Sequence, residues 1–336
     1  MSDRPPSAPS APSEPLRLLL SPAAARQAGD GLTRALAGRA HVVVGLGEDA
    51  DVAFVSRDVT GLSTKHSVLP HTKAFHDSLR QAPSLRWVHA HSAGADRPVY
   101  GELRARGVEV TTSSGANAGV VVQSALAGVL MLARRFPQLL AAQRDKVWAP
   151  LIGATPPRDL AGQTAVVVGW GPIGQGLGAL LAALGLRVVA VRGSDAPAAA
   201  PAQHSVPFER LREVLPSADW LLLACPLSER TRGLVDAAAL ALLPAGARLV
   251  NVARGEVVDE PALIAALQAG RLAGAFLDVF ASEPLPSDSP LWDLPDVIVT
   301  PHTAGHSDGN EARVAAIFLD NLARWCAGAP LLNRVA

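Results

Sequence analysis

A cation, a carboxylate and an imidazole each follow one of three successive apolar runs in the second half of the chain: Arg254, Glu283 and His302. An arginine can bind a carboxylate through two parallel hydrogen bonds. A histidine exchanges a proton near neutral pH, and a glutamate bonded to its far ring nitrogen favours the protonated ring. Taken singly, each residue is more often a structural loop residue. Their joint placement indicates a site that holds a carboxylate and gives a proton to a neighbouring oxygen.

These three residues depend on a sheet that brings several strand ends together. The predicted strands from residue 162 onward are 164–169, 187–191, 219–225, 247–252, 273–279 and 296–300. Segments of helical spacing lie between them, at 173–184, 208–215, 236–243 and 260–269. This alternation indicates a parallel sheet with helices on both faces, and six strands fit a complete dinucleotide-binding fold. Ligands of such a sheet bind beyond the carboxyl ends of its strands, which is where the three polar residues lie.

The first part of the chain has an α/β alternation of its own. Its predicted strands are 17–20, 41–45, 52–56, 85–90 and 107–112. The segment 310–328 carries apolar residues at helical spacing, which predicts an amphipathic helix near the C-terminal end.

The run GWGPIG, residues 169–174, joins the first of the later strands to a helix. It matches GxGxxG in the strand–turn–helix context that dinucleotide binding requires. The first glycine permits a tight turn, the second lets a pyrophosphate approach the backbone, and the third lets helix and strand pack closely. The helix N-terminus then presents N–H groups to the phosphates. The predicted cofactor-binding residues of this run are Gly169, Gly171, Pro172, Ile173 and Gly174.

The composition favours no macromolecular partner. Lys+Arg and Asp+Glu both number 30, so neither nucleic acid nor a membrane surface is indicated. The two cysteines form no metal-binding pattern, which predicts a reduced, cytoplasmic protein without a bound metal. Residues 1–15 lack an apolar core and predict a disordered tail rather than a signal peptide. The uncharged stretches 110–133 and 162–186 contain polar side chains and are interpreted as parts of folded domains, not membrane spans.

Five motifs together carry a family resemblance: GWGPIG, PLSERT, NVARGEVVDEPAL, AGAFLDVFASEPLP and TPHTAG. In this order and spacing they resemble the D-isomer-specific 2-hydroxyacid dehydrogenases, from about Leu85 to near the C-terminal end. The resemblance implies that Arg254, Glu283 and His302 are catalytic. It departs from the family at Gln123, where many relatives carry glutamate.

The resemblance also implies further contacts. Asp278, in LDVF, is expected at the nicotinamide end of the cofactor, and Pro226 and Thr231 of PLSERT are expected to bind the cofactor. The loop SAGAD resembles the S-x-G-x-x-D loop whose backbone N–H groups hold the substrate carboxylate. Ala93 and Gly94 take that role here, together with Arg254.

Domain organisation follows from the same resemblance. Residues 16–114 and 301–336 are expected to form a discontinuous, flavodoxin-like α/β substrate domain. Residues 115–300 are expected to form a Rossmann-type dinucleotide-binding domain with a doubly wound parallel sheet. Its segment 115–135 is the expected interdomain helix, and the family implies a homodimer.

The end of the second Rossmann strand indicates which cofactor is bound. Arg192 stands 18 residues beyond Gly174, where NAD-dependent relatives place an aspartate for the ribose hydroxyls. An arginine reverses the charge and suits a 2′-phosphate, and Ser194 adds a hydroxyl donor. These residues predict NADP. The alternative is NAD, with Arg192 solvated and Asp195 on the ribose.

The expected activity is reduction of a small 2-keto acid to its D-2-hydroxy acid, with His302 as the proton donor. By analogy the substrate is glyoxylate or hydroxypyruvate, and larger 2-keto acids form one alternative. Another alternative is a cofactor-sensing binding protein, because some relatives act as transcriptional corepressors. Glu283 argues against a formate dehydrogenase, since those relatives lack this glutamate.

Overall fold

A computed structural model describes residues 14–64, 67–151 and 156–335. The predicted N-terminal tail therefore lies outside the described residues, except for Glu14 and Pro15. The chain forms two compact units. Unit 1 contains the chain up to Ala116 and from Gly309 onward, and unit 2 runs from Asn117 to Asp308.

Strands and helices alternate along the described chain. In chain order the strands are β1 Leu16–Leu19, β2 His41–Val44, β3 Val52–Val55, β4 Trp87–Ala90, β5 Glu109–Thr112, β6 Thr164–Val168, β7 Arg187–Arg192, β8 His204–Pro207, β9 Trp220–Leu223, β10 Ala247–Asn251, β11 Leu272–Leu277 and β12 Val297–Val299. The helices are α1 Pro22–Leu36, α2 Arg57–Thr60, α3 Pro70–Gln81, α4 Pro98–Ala105, α5 Ala118–Ala133, α6 Phe136–Arg144, α7 Pro172–Ala183, α8 Leu211–Val214, α9 Ala237–Leu242, α10 Glu260–Gln268 and α11 Asn310–Cys326. Short 3₁₀ turns occupy Phe208–Arg210, Leu215–Ser217, Gly255–Val257 and Pro290–Trp292.

Unit 1 is built on a parallel sheet of strand order β2-β1-β3-β4-β5. This is the flavodoxin-like order, as expected from the sequence. Leu79 of α3 and Leu103 of α4 are fully buried on one face of the sheet. Trp87 of β4 and Phe318 of α11 stack on the other face, in the cluster that also contains α1. Burial on both faces explains why the strand sequences are apolar runs without alternation.

Unit 2 is built on a parallel sheet of order β12-β11-β10-β9-β6-β7-β8. From β8 to β11 this is the Rossmann order 3-2-1-4-5-6, extended by β12. Helices α5 and α7 cover one face, and α8, α9 and α10 cover the other. Helix α10 begins where the sequence indicates, because Asp259 accepts a hydrogen bond from the N–H of Ala262 at 3.1 Å.

Three features of unit 2 correct the expectations from sequence. β8 is a seventh strand, not predicted because HSVP lacks an apolar run. The helix predicted over 115–135 is observed only over Ala118–Ala133. The separate helix α6 begins directly after Arg135, whose left-handed φ of 56° interrupts the helical backbone. Residues 301–308, expected in the substrate domain, belong to unit 2. They are held there because the N–H groups of Thr303 and Ala304 donate to the carboxylate of Asp278.

No helix in the described part of the chain is, by itself, both long and apolar enough to cross a membrane. α5 and α6 reach that length and composition only as a pair, and the chain bends by 72° between them.

Candidate active site

The glycine-rich turn after β6 is shaped by backbone approaches that a side chain would block. A Cβ atom at Gly169, whose φ is 100°, would lie 2.5 Å from the backbone nitrogen of Cys225. A Cβ atom at Gly174 would lie 1.8 Å from the carbonyl oxygen of Gly169. Both distances are far below van der Waals contact. These two glycines therefore allow β6, β9 and α7 to meet at the point where the strand order reverses.

Gly171 has a different environment. No protein atom lies within 4 Å of the position its Cβ would take, and its φ of −82° suits any residue. The protein itself therefore does not require glycine there. Open space beside the N-terminus of α7, where Pro172 is the first helical residue and Ile173 the second, fits a pyrophosphate. The turn can thus hold a dinucleotide in the predicted way.

The end of β7 presents a cation at this edge of the sheet. Arg192 is half-buried, and its Nη1 donates to the carbonyl oxygens of Ala196 and Pro197 at 3.3 and 3.2 Å. Ser194 and Asp195 are exposed on the loop that follows.

The loop after β9 is held by Thr231, which is fully buried. Its hydroxyl donates to the carbonyl oxygen of Pro226 at 2.7 Å and accepts from the N–H of Ser228 at 2.8 Å. The structure thus gives Thr231 a role in shaping the loop. Its contact with a cofactor, like that of Pro226, stays a prediction.

Two of the three predicted catalytic residues are in direct contact. His302 Nδ1 lies 2.7 Å from Glu283 Oε2, and Glu283 Oε1 accepts from the N–H of Phe280 at 3.1 Å. The His302 side chain is 49% exposed, whereas that of Glu283 is 18% exposed. A partly buried carboxylate therefore orients the His302 ring through Nδ1.

Opposing effects act on the pKa of the Glu283 carboxyl. Burial raises the pKa, but the hydrogen bond and charge of His302, the N–H of Phe280 and the charge of Arg254 together hold it below its ordinary value. Glu283 is therefore ionised throughout the neutral range. Its attraction for a protonated His302 is present above the ordinary carboxyl pKa and is lost as the pH falls through the lowered value.

Two residues that the sequence analysis did not single out, Asn251 and Gly255, position the loop that carries Arg254. Asn251, at the end of β10, accepts from the N–H of Ala253 and donates to the carbonyl oxygen of Arg254. A Cβ atom at Gly255 would lie 1.8 Å from the carbonyl carbon of Phe280. Gly255 therefore lets the loop of Arg254 approach the loop of Glu283. The sequence signal for this was the glycine of NVARG.

His302 has a left-handed backbone conformation, with φ of 50°, which is uncommon for a residue with a side chain. Its N–H donates to the backbone carbonyl oxygen of Asp278 at 2.8 Å. The Asp278 carboxylate is almost fully buried and accepts from the Thr300 hydroxyl and from the N–H groups of Thr303 and Ala304. Asp278 thus holds both sides of His302, a role that sequence reasoning missed. Its expected contact with the nicotinamide stays a prediction.

In unit 1, the predicted substrate-binding loop follows β4. The hydroxyl of Ser92 donates to the carbonyl oxygen of Gly94 at 2.6 Å, which shapes the loop that carries Ala93. A cavity of about 460 Å³ opens at the same edge of the unit 1 sheet. Eight of its eleven lining residues have polar or charged side chains: Arg26, Gln27, Ser56, Arg57, Asp58, His91, Asn310 and Glu311. The other three are Ala23, Phe54 and Val314.

Across the described residues, no cluster of three or more His, Cys, Asp or Glu side chains is arranged to hold a metal ion.

Comparison with known proteins places these features in one family. The family model described as the NAD-binding domain of D-isomer-specific 2-hydroxyacid dehydrogenases matches residues 126–304. An (S)-sulfolactate dehydrogenase of Chromohalobacter salexigens is 36% identical over 75% of this chain and 81% of its own. A glyoxylate reductase of Korarchaeum cryptofilum is 34% identical over 72% of this chain and 73% of its own.

Solved structures agree. A D-isomer-specific 2-hydroxyacid dehydrogenase from Xanthobacter autotrophicus, in complex with NADPH and MES, superposes with a TM-score of 0.74. It is 31% identical and covers 96% of this chain and 98% of its own. The match to several D-3-phosphoglycerate dehydrogenases spans only 42% of their length.

Substitution of two glycines should separate folding from cofactor binding. Gly171→Ala should fold with an unchanged Tm and yet bind a dinucleotide at least about tenfold more weakly, because its methyl group enters the space for the pyrophosphate. Gly174→Ala should lower the Tm by several degrees, because its methyl group meets a backbone carbonyl oxygen. Thermal unfolding and titration calorimetry measure both. Equal Tm losses in the two variants would contradict this division.

Substitution of Asp278 should affect turnover through His302. Asp278→Asn replaces Oδ2, the nearer of the two oxygens that accept from the N–H of Ala304, by an NH₂ group. The loop of His302 should therefore shift, and kcat should fall by roughly tenfold to a hundredfold. The dissociation constant of the dinucleotide should change less than threefold. A weaker dinucleotide with normal kcat at saturation would instead assign Asp278 to the cofactor.

Proposed function

Because the chain belongs to the D-isomer-specific 2-hydroxyacid dehydrogenase family of oxidoreductases, we propose that it reduces a small 2-keto acid, glyoxylate or hydroxypyruvate, to the D-2-hydroxy acid with NADPH. The observation that carries this proposal is the 2.7 Å contact between His302 and Glu283. It lies at the carboxyl edge of the sheet that also carries the glycine-rich turn. A cofactor-sensing protein has no need of such a proton-donating pair.

Each residue has a defined task in this reaction. Arg254 binds the substrate carboxylate through two hydrogen bonds. The carboxylate contacts of Ala93 and Gly94 stay predictions of the family resemblance. A bound NADPH supplies the hydride that reduces C2. Protonated His302 gives its Nε2 proton to the carbonyl oxygen, which would otherwise become an unstable alkoxide. Glu283 stabilises the charged ring before transfer, and Asp278 keeps the ring in place.

The named activities of the relatives support a small, hydrophilic substrate. Two of the relatives compared above act, by name, on sulfolactate and glyoxylate, which are both small and polar.

An exposed apolar surface in unit 2 supports the proposal of a homodimer. Leu130, Phe136, Leu140 and Val147 are each more than a third exposed, and Trp148 is 93% exposed. Large apolar side chains clustered in one segment commonly mark a subunit interface.

The charge of Glu283 should set the pH range of the reduction. Protonation of the Glu283 carboxyl, whose pKa is held below its ordinary value, removes the negative charge beside the ring as the pH falls. Glu283→Gln removes the same charge at every pH, so kcat for keto-acid reduction should fall at pH 7, and the acid limb that this carboxyl gives the wild-type profile should be lost.

The matched control is Glu260→Gln. The Glu260 carboxylate accepts a hydrogen bond from the N–H of Ala281, in the loop that carries Glu283, and none of the described contacts joins it to the His302 ring. Its profile should match the wild type. Identical profiles for Glu283→Gln and the wild type would contradict the role of Glu283.

The charge at the end of β7 should set cofactor preference. Arg192→Ala should lower kcat/KM for NADPH by about tenfold to a hundredfold, because a charge-assisted contact with the 2′-phosphate is lost. kcat/KM for NADH should change little. Arg187→Ala, which removes the same charge from the opposite end of β7, is the control. Wild-type preference for NADH, unchanged in Arg192→Ala, would overturn the NADP proposal.

A further inference from the structure

A second arginine reaches the loop that carries the proposed 2′-phosphate site. Arg230 lies in the turn after β9, and its Nη1 donates to the carbonyl oxygen of Gly193 at 2.8 Å. Gly193 directly follows Arg192, and a Cβ atom there would lie 3.5 Å from the same Nη1. Two guanidinium groups from different loops therefore converge on the end of β7.

The Arg230 guanidinium is fixed from two sides. Its Nε and Nη2 donate to the two carboxylate oxygens of Glu209 at 2.9 and 3.0 Å. Its central carbon lies 5.4 Å from the ring centroid of Phe208, which is itself buried. A bidentate ion pair and a stacking ring leave the group little rotational freedom. Arg230 is thus pre-positioned rather than a mobile surface side chain.

Donor capacity is left over after these contacts. A guanidinium has five N–H groups, and the contacts described use three of them. The remaining two are on Nη1 and Nη2. The side chain as a whole is 49% exposed, which leaves room for an anion to approach it.

Carboxylates offset part of the positive charge around Arg230. Glu209 pairs with Arg230 itself, and Arg210 forms its own ion pair with Glu213. Asp195, also exposed on this loop, acts on Arg210 through its charge. The fixed direction of the Arg230 N–H groups therefore matters as well as its charge.

We propose that Arg230 is a second determinant of cofactor selectivity, which holds the carbonyl of Gly193 and donates to a phosphate monoester on the adenosine ribose. This inference rests on the NADP preference proposed above for Arg192. It assigns to the PLSERT loop a task besides the shaping role of Thr231. The ligand class is an adenine dinucleotide that carries a 2′-phosphate.

Equilibrium binding tests this role without any need for turnover. The dissociation constants of NADP⁺ and NAD⁺ are measured by titration calorimetry for the wild type, Arg192→Ala, Arg230→Ala and Arg230→Lys. The matched control is Arg232→Ala, which removes an exposed arginine from the same turn. The Tm of each variant shows whether it folds as the wild type does. If Arg230→Ala is unstable, Arg230→Lys replaces it in the comparison of the two dissociation constants.

Arg230→Ala should weaken NADP⁺ by about tenfold and NAD⁺ by less than twofold. Arg230→Lys should recover only part of the loss, because a lysine cannot bridge Glu209, Gly193 and a phosphate at once. Arg232→Ala should match the wild type. Equal weakening of both cofactors in Arg230→Ala, or equal effects of Arg230→Ala and Arg232→Ala, would overturn the inference.

Failure of this inference is distinguishable from failure of the NADP proposal. If the wild type prefers NADP⁺ and Arg192→Ala removes that preference while Arg230→Ala does not, Arg230 alone is wrongly assigned. If the wild type prefers NAD⁺, the cofactor proposal itself fails.

Discussion

Close backbone approach at the carboxyl edge of the unit 2 sheet is the constraint on which its site depends. Gly169 meets the backbone nitrogen of Cys225, and Gly255 meets the backbone of Phe280. Each approach brings together two loops that come from different strands. A side chain at any of these positions would push the loops apart. The atoms that it would meet belong to the backbone, which cannot move aside as the end of a flexible side chain can. The glycines therefore position the turn after β6 and the loops that carry Arg254 and Glu283.

A second constraint is the buried carboxylate of Asp278. It lies at the end of β11 and accepts hydrogen bonds from the loop that follows β12. An ionised group is costly to bury unless such donors surround it. Here the donors are the loop itself, so the loop and the carboxylate stabilise each other. This arrangement keeps His302 in its left-handed conformation and facing Glu283.

Much of the fold could be predicted from the sequence, because buried parallel strands are continuous apolar runs. The strands from β1 to β7 and β9 to β12 match these runs. β8 does not match such a run. It lies at the edge of the sheet, where a strand needs no continuous apolar sequence and tolerates a proline, which has no N–H group to donate. Residues 301–308, which the family resemblance assigns to the substrate domain, group with unit 2. There the carboxylate of Asp278, distant in sequence, accepts from the N–H groups of Thr303 and Ala304.

The sequence predicted which residue types form the candidate site, but only some of the contacts that position them. Strand-end position brought Glu283 and His302 together, as expected for a parallel sheet. The structural roles of Asn251, Gly255 and Thr231 depend on loop geometry, which spacing along the chain does not encode. The same is true of the contact between Arg230 and Gly193, which belongs to no motif.

Keto-acid-dependent oxidation of NADPH by the wild type and by His302→Ala tests most directly whether His302 supplies the proton. The wild type should oxidise NADPH with glyoxylate or hydroxypyruvate, and the chiral product of hydroxypyruvate should be the D-isomer. His302→Ala should bind NADPH as the wild type does and turn over at least about a hundredfold more slowly. Turnover at the wild-type rate in His302→Ala would contradict the role of His302 as the proton donor. A wild type that binds NADPH but oxidises it with no 2-keto acid would contradict the proposed reaction.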